Sequence, residues 1–513
     1  MSKSDTSLPE IVSISSRSLI IATSQQRIAS RMAENLLDVV LRQERALAVE
    51  KRYRIGDYEF RKVDHEQIQR WAQMLRMEPE KIVETLARSR KESNFYNERD
   101  TDFCVEDGCI VSLVWDFELL PLTDFKWGQG LQIRRLGILN SRSESLPPLP
   151  NCLQELICYG NGLIRLELAQ VPQLKFLDCS SNPLSALDLS SVPGLHELHC
   201  ASNQLKVLEL TSVPELQKLD CQYNELTALD LAPVSGLRWL NCDDNQLSRL
   251  HLSQVPNLQE IRCCGNQLIE LDLTTVPCLQ ELHCSHNQLT TLDLQLLSGL
   301  IRIKCNNNKL NSMDLSALPS LQELDCTDNQ LTALDLTGVA GLHILDCQYN
   351  QLTTLDLTHV PRLIRLDCSD NQLAMLNLCP VSKLQQLLCS RNRIGTLDLT
   401  PVPGLQELNC ADNPLTTLNL APLSRLQHLC CECNQLTTLD LTPVPDLENL
   451  SCTGNQLTTL DLTPVSGLKE LNCGNNPLNS LNLTPVPGLK KLYCLSSLNI
   501  TGLLPANMYK NTW

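Results

Sequence analysis

Aromatic side chains are scarce in this chain: they make up 4% of 513 residues, although hydrophobic residues make up 42%. A core of that size must therefore be built from aliphatic side chains, and leucine supplies most of them. Five of the six Phe and three of the five Trp precede residue 130, so the N-terminal region has an aromatic core of its own. No run of 18 apolar residues occurs, so a membrane-spanning helix is not expected. Near the N-terminus Ile11-Val-Ser-Ile-Ser-Ser-Arg17 is too polar for the core of a signal peptide. Also missing are a Gly-rich phosphate loop, a Ser/His/Asp set and a metal-binding motif, so no enzyme, cofactor or metal is expected. Positive charge is short as well. Lys and Arg number 42 against 58 Asp and Glu, a net charge of −16. Residues 1–100 carry 18 basic against 16 acidic side chains, which leaves −18 on the remainder. Such a surface repels phosphates, and no nucleic acid is expected on it.

What the chain has in abundance is order. From Cys158 a cysteine recurs every 21 residues, through Cys179 and Cys200 to Cys494, without one insertion or deletion. The surrounding pattern recurs with it, as in Leu174-Lys-Phe-Leu177-Asp-Cys179-Ser-Ser-Asn182-Pro-Leu184-Ser-Ala-Leu187-Asp-Leu189-Ser-Ser-Val192-Pro193. So strict a register requires each unit to lie directly on its neighbour, the arrangement of a solenoid. We count seventeen units over 153–500, unit 1 starting at Leu153, and number the positions of each from its first Leu. Leu at positions 1, 4, 11, 14 and 16, Cys at 6 and Val at 19 are expected to face inward. The Asn at 9, from Asn161 to Asn476, is expected to bond the backbone of its own and the adjacent unit.

The eleven residues L-x-x-L-x-C-x-x-N-x-L resemble the defining motif of the leucine-rich-repeat family, and L-x-x-L-D-L-T-x-V-P resembles its bacterial branches, internalin-like and secreted-effector types among them. The resemblance implies a mostly parallel β solenoid with little helix on the convex side, and a recognition surface without naming a partner. Leu146-Pro-Pro-Leu149-Pro150 is similar to the L-P-x-L-P of secreted effectors, some of which carry a C-terminal ubiquitin ligase. With under twenty residues after Cys494, no such ligase is expected here. The C-x-D sequences at Cys242, Cys326, Cys368 and Cys410 resemble a ligase nucleophile, but each Cys is a core ladder position.

The 25 cysteines suit a reducing compartment, and parallel ladder thiols lie side by side in a geometry poor for bridging, so a cytoplasmic monomer is expected. The alternative is a bacterial effector secreted into a host cell and acting by sequestration.

Ahead of the repeats, 1–23 reads as a flexible leader and 24–100 as a helical domain. A helix is expected from Ser24 through Ile28, Met32, Leu36, Val39, Val40 and Leu47. A hairpin follows around Gly56-Asp57. Asp64 with Gln67 reads as a capping box opening a second helix, and a turn at Arg76–Pro79 leads into a third from Glu80 to Lys91. Two helices and a short turn raise a DNA-linked regulator using 64–91 as another alternative, although no clean basic face emerges. Residues 101–152 read as a cap with two irregular repeats, Ile110/Leu113/Trp115 and Ile133/Leu136/Ile138, of 23 and 20 residues. The region before 133 is expected to shield the first full unit, and 501–513 is a tail.

Positions 3, 5 and 7 form the open face of the first sheet. Its consensus is bland, so departures carry the information: Phe176, Lys218, Trp239, Arg262, His283, Arg302 and Lys304, with Tyr223 and Arg238 at the edge. An aromatic among cations has the composition of an interaction hot spot for a protein partner. Glu323, Asp325, Asp346 and Asp367 form an acidic stripe beyond it. Asp188, Asp230, Asp272, Asp293, Asp335 and Asp356 make a column on the expected second strand, read as turn support rather than a cation site. His428, Cys430 and Glu432, with Cys433 beside them, are zinc-type ligands, but three on one flat strand converge poorly on a tetrahedron.

Overall fold

The computed structural model describes residues 52–88, 103–120, 127, 130–502 and 509–512. The expected leader and the helix from Ser24 to Leu47 lie outside these residues. The described chain falls into two compact units, 52–84 with 104–110 and 130–131 in the first, and the repeats in the second.

In the first unit, β1 (Tyr53–Ile55) and β2 (Tyr58–Phe60) pair antiparallel across Gly56-Asp57, with Gly56 at φ +57 making the turn. Ile55 and Phe60 are buried, and Tyr53 stacks on His65 at 4.7 Å. Helix α1 (Lys62–Leu75) buries Ile68, Trp71 and Ala72. It starts two residues before Asp64, and its N-cap, Arg61, makes no side-chain capping bond. The capping box is therefore corrected. Asp64 is fully buried and spends its carboxylate on a tertiary contact, accepting the Ile110 N–H at 2.9 Å beside Arg61 at 3.7 Å. A buried carboxylate needs such partners more than a helix end open to water needs a cap. Arg76 ends α1 in the left-handed conformation, with no glycine required. Pro79 opens α2 (Pro79–Arg88), and the rest of the expected Glu80–Lys91 lies outside the described residues.

The second unit is a solenoid. Each full repeat gives one short strand at positions 3 to 5, and all of these strands run parallel in a single ladder. Phe176 lies beside Glu197, Glu197 beside Lys218 and Lys218 beside Trp239, so the spatial register is the 21-residue step. At the N-terminal end Leu113 lies beside Leu136 and Leu136 beside Leu156, steps of 23 and 20 residues. The bonding outruns the strands: the position 2 and position 8 N–H groups also reach the next or preceding unit, as in His196 to Lys175 and Ser181 to Ala201, both at 2.8 Å.

Behind the sheet the seven inward positions are buried in unit after unit, Leu195, Leu198, Cys200, Leu205 and Val213 at 0% exposure. Burying each such side chain is worth about 1.5–3 kcal/mol, and only the neighbouring units can supply the covering layer. The Asn ladder closes the polar account. Asn287 donates Nδ2 to the carbonyls of Cys263 (2.9 Å), Cys284 (3.1 Å) and Ser285 (3.1 Å), and its Oδ1 accepts the Leu268 N–H at 3.0 Å. The chain can turn so sharply because position 8 is left-handed. Non-glycine residues hold it at Ser181 (φ 54), Tyr223 (φ 52), Asp328 (φ 51) and Arg391 (φ 51), and glycine at 160, 265 and 454. That conformation costs an L-residue about 1–2 kcal/mol, which the Asn bonds at the next position offset.

The expected second strand is corrected for most units. Only Ser480–Asn482 and Asn499–Thr501 pair as strands there. Elsewhere the Asp at position 15 bends the chain by accepting the N–H two residues on, as Asp188 does from Ser190 (2.9 Å) and Asp356 from Thr358 (2.9 Å). Two successive i to i+3 turns then return it to the next strand, Val192 to Leu189 and Leu195 to Val192, both at 3.1 Å.

Candidate functional site

The open face is the solvent side of the parallel sheet, where strand alternation directs positions 3 and 5. Its first half, over units 2 to 8, holds the residues singled out from the sequence. Trp239 is half-buried, with the Lys218 ammonium 5.0 Å from its ring centroid and Lys218 also 3.2 Å from Glu197. Arg262 pairs with Glu260 at 2.7 Å. Arg302 bridges Glu281 at 2.8 Å and Glu323 at 2.7 Å, and Lys304 meets Glu323 at 3.3 Å. The consensus glutamates at position 3 are thus the partners of the exceptional cations. Half-exposed pairs of this kind contribute little to stability but hold the side chains in place. Arg238 and Tyr223 stand exposed at the two rims of the strand.

Two of the expected contact residues are corrected for exposure. Phe176 is 1% exposed, its ring tilted against His199 at 5.5 Å. His283 is 9% exposed and lies 3.4 Å from Glu281. The histidines at 199 and 283 occupy the same repeat position in opposite surroundings. At His199 burial opposes protonation, but hydrogen bonds to Asp220 and Glu197 outweigh it and raise the pKa to about 9. Glu197 moves the other way: burial would raise it, yet His199 and Lys218 bring it down to about 2. Burial and the Arg262 charge keep His283 below the usual imidazole value.

The acidic stripe lies in register, with Asp325 beside Asp346 and Asp346 beside Asp367. Arg365 pairs with Asp346 at 3.0 Å, and burial pushes the Asp346 and Asp367 carboxyls up. On the far side the position-15 Asp column serves its turns. Hydrogen bonds from Ser190 and Thr274 hold Asp188 and Asp272 below the ordinary carboxylate value. No group of three metal-ligating side chains occurs among the described residues, and His428, Cys430 and Glu432 do not converge.

The seventeen ladder cysteines are buried. Burial and neighbouring thiols raise Cys242 well above its ordinary value, and burial raises Cys410 likewise. A thiol that resists ionisation is a poor nucleophile. The cysteines of the C-x-D sequences are core residues, and their aspartates stand at the position-8 turn. On α2 the exposed side chains Glu80, Lys81 and Glu84 include one Lys81–Glu84 pair at 3.8 Å, and Ile82, Val83 and Leu86 are buried. No described helix is long and apolar enough to cross a membrane.

The sequence reading missed a hollow of about 510 Å³ in the far half of the same face. Its position-3 lining is Glu407, His428, Asn449 and Glu470, and its position-5 lining is Asn409, Cys430, Ser451, Asn472 and Tyr493. Cys430 and Ser451 are small side chains between larger ones, and a scan of volumes along each column would have found the gap.

No curated protein matches the chain. A family model described as Leucine Rich Repeat matches residues 278–300. Among solved structures, the functional domain of InlJ from Listeria monocytogenes, which includes a cysteine ladder, is 30% identical over 61% of this chain and 71% of that one, with a TM-score of 0.57. YopM from Yersinia enterocolitica is 28% identical over 77% of this chain and 89% of that one, with a TM-score of 0.64. A Leptospira interrogans LRR protein, 24% identical over 66% and 95%, shares the fold with a TM-score of 0.62. With its 21-residue register, its buried Cys and Asn ladders and these likenesses, the chain belongs to the leucine-rich-repeat family, in the bacterial form.

Proposed function

We propose that the chain is a non-enzymatic recognition scaffold whose open sheet receives a protein partner, with the contact centred on Trp239. The observation that carries this reading is the half-exposed Trp239 indole held under the Lys218 ammonium on a rigid strand. A fixed aromatic flanked by oriented cations loses little entropy when covered, and such residues dominate binding energy. Arg238, Arg262, Arg302, Lys304 and Tyr223 lie on the same face about it, whereas Phe176 and His283 are covered by their own neighbours, His199 and Glu281. A chain of 25 cysteines with a buried thiol ladder supports a reducing compartment as its place of work.

Immobilised full-length chain is used to capture partners, the captured protein is identified, and its affinity is then measured by calorimetry. Trp239→Ala should weaken that affinity by about 2 kcal/mol or more with little change in melting temperature. Thr396→Ala, on the far side, should be silent. Equal loss in both variants, or in neither, removes the patch from the site. Capture from a lysate of the producing cells supports the scaffold as stated. Capture only from a foreign cell's lysate supports delivery, the reading that Leu146-Pro-Pro-Leu149-Pro150 and the likeness to YopM favour.

A further inference from the structure

The two halves of the open face differ in how their carboxylates are matched. In the first half Glu197, Glu260, Glu281 and Glu323 each pair with a Lys or Arg on the same face. In the hollow of the second half Glu407 receives only the Gln386 amide, at 2.6 Å. Glu432, at position 7 beside the hollow, receives the Ser451 hydroxyl and the Asn472 amide, the latter at 3.2 Å. Neither has a cationic partner among the described residues. The nearby cations are engaged with other acids, Lys491 with Glu470 and Lys469 with Glu448, both at 2.7 Å. Tyr493 closes the end of the hollow with its phenol ring, and Tyr509 stands beside it with ring centroids 6.1 Å apart. A volume of about 510 Å³ falls in the range of sites that enclose a ligand group.

We propose that this hollow seats an arginine side chain of an extended peptide segment from a protein partner. A planar guanidinium answers both features at the Tyr493 end, where Glu432 reaches Asn472 in the column beside Tyr493, while Glu407, four strands from Tyr493, takes a second arginine of the same segment. Its fork donates to carboxylates, and its face lies on an aromatic ring, which a compact ammonium does less well. The amides of Asn409 and Asn449 on the flanking strands can take the peptide's own backbone groups. A hollow edged by unmatched carboxylates on a strongly acidic protein also draws a basic segment in from a distance. The inference rests on the open sheet being the recognition surface, but it concerns the half away from Trp239, so the two can fail separately.

The test uses the full-length chain and the blocked peptide Ac-Gly-Ser-Arg-Gly-Arg-Gly-Ser-NH2, with binding read by calorimetry at physiological salt. Three comparisons accompany it: the same peptide with Lys for Arg, the same peptide with neutral citrulline for Arg, and spermidine. The arginine peptide should bind, the lysine peptide should bind several-fold more weakly, and citrulline should abolish binding. Glu407→Gln and Glu432→Gln should each weaken binding at least fivefold. Glu407→Gln keeps an oxygen for Gln386, so it tests charge without disturbing the fold. Trp239→Ala should leave peptide binding unchanged, whatever it does to the partner of the first half. The control is Asp335→Asn with Asp356→Asn, which removes charge from the far side. No binding at millimolar peptide, or equal loss in that control, overturns the proposal. Spermidine binding as tightly and with the same Glu407 dependence also overturns it, in favour of a free polyamine.

Discussion

Replacing Asn287 with Ala in the middle of the array removes one rung of the Asn ladder. The side chain is 8% exposed and makes four hydrogen bonds, three to carbonyls and one from the Leu268 N–H. Alanine leaves that buried N–H without its acceptor, worth about 1–3 kcal/mol, and takes the donors from the Cys263 and Cys284 carbonyls. Together with the small cavity left behind, the loss should come to about 3–5 kcal/mol, large for a single substitution. The array is quasi-one-dimensional, so the damage should stay near units 6 and 7 rather than spread evenly. Hydrogen exchange read by mass spectrometry is therefore the assay, with thermal unfolding beside it, because a repeat array need not unfold in one step. Protection should collapse first at Leu268, Cys263 and Cys284. Asn377→Ala is the control, since that exposed side chain caps only the Cys379 N–H at 3.1 Å and should cost under about 1 kcal/mol. If Asn287→Ala and Asn377→Ala cost the same, the ladder is decoration and the Leu core alone holds the units together.

A thiol reagent on the native protein should label Cys278, Cys379 and Cys433 first, because these are the exposed ones, and all 25 only in denaturant. Cys433 should lag the other two, since partial burial and the Asp412 charge raise its pKa; rapid native labelling of the ladder would overturn the packing. A second prediction concerns pH. His199 is raised from about 6.5 in the unfolded chain to about 9 in the fold. Its contribution, on the order of 2–3 kcal/mol, is therefore full below pH about 6.5 and is lost as pH rises through about 9. Unfolding of His199→Gln should show a deficit at pH 6 that shrinks towards pH 9.5, and a deficit constant with pH would refute the linkage.

The fold was legible because one number governs it. The 21-residue step between cysteines is the register between strands, and the 20- and 23-residue steps before it mark the joins Leu136 to Leu156 and Leu113 to Leu136. An error of one residue would have turned every Leu outward, so the hydrophobic pattern left no freedom. The far side was less legible. L-D-L-T alternates as a strand does, but the Asp in it takes the N–H two residues on and bends the chain before a ladder can form. The left-handed turn at position 8 gave little signal, because Ser, Tyr, His, Arg and Cys fill it along with Gly, Asn and Asp. What holds it is the Asn that follows, in each unit from Asn161 to Asn476.

The open face was only half legible, and the reason lies in how a repeat stores its contacts. Taken along the chain, Arg302 is an isolated cation that breaks a consensus. Taken down its column, it stands between Glu281 and Glu323, one unit to either side, and bridges both. The partner of an open-face residue is therefore found about one repeat away, 21 residues for Arg302 and 19 for Lys304, or two away on the same strand, as Arg262 finds Glu260. A departure from consensus then has two possible causes, a partner within the column or a partner outside the molecule. Arg302 has the first kind in place, so its charge counts for less in recognition than its isolation in the sequence implies. Glu407 looks ordinary in the sequence because it matches consensus, yet no cation in its column reaches it. In an array this regular, the residues left for an external partner are those whose column neighbours fail to answer them, whether or not they depart from the repeat.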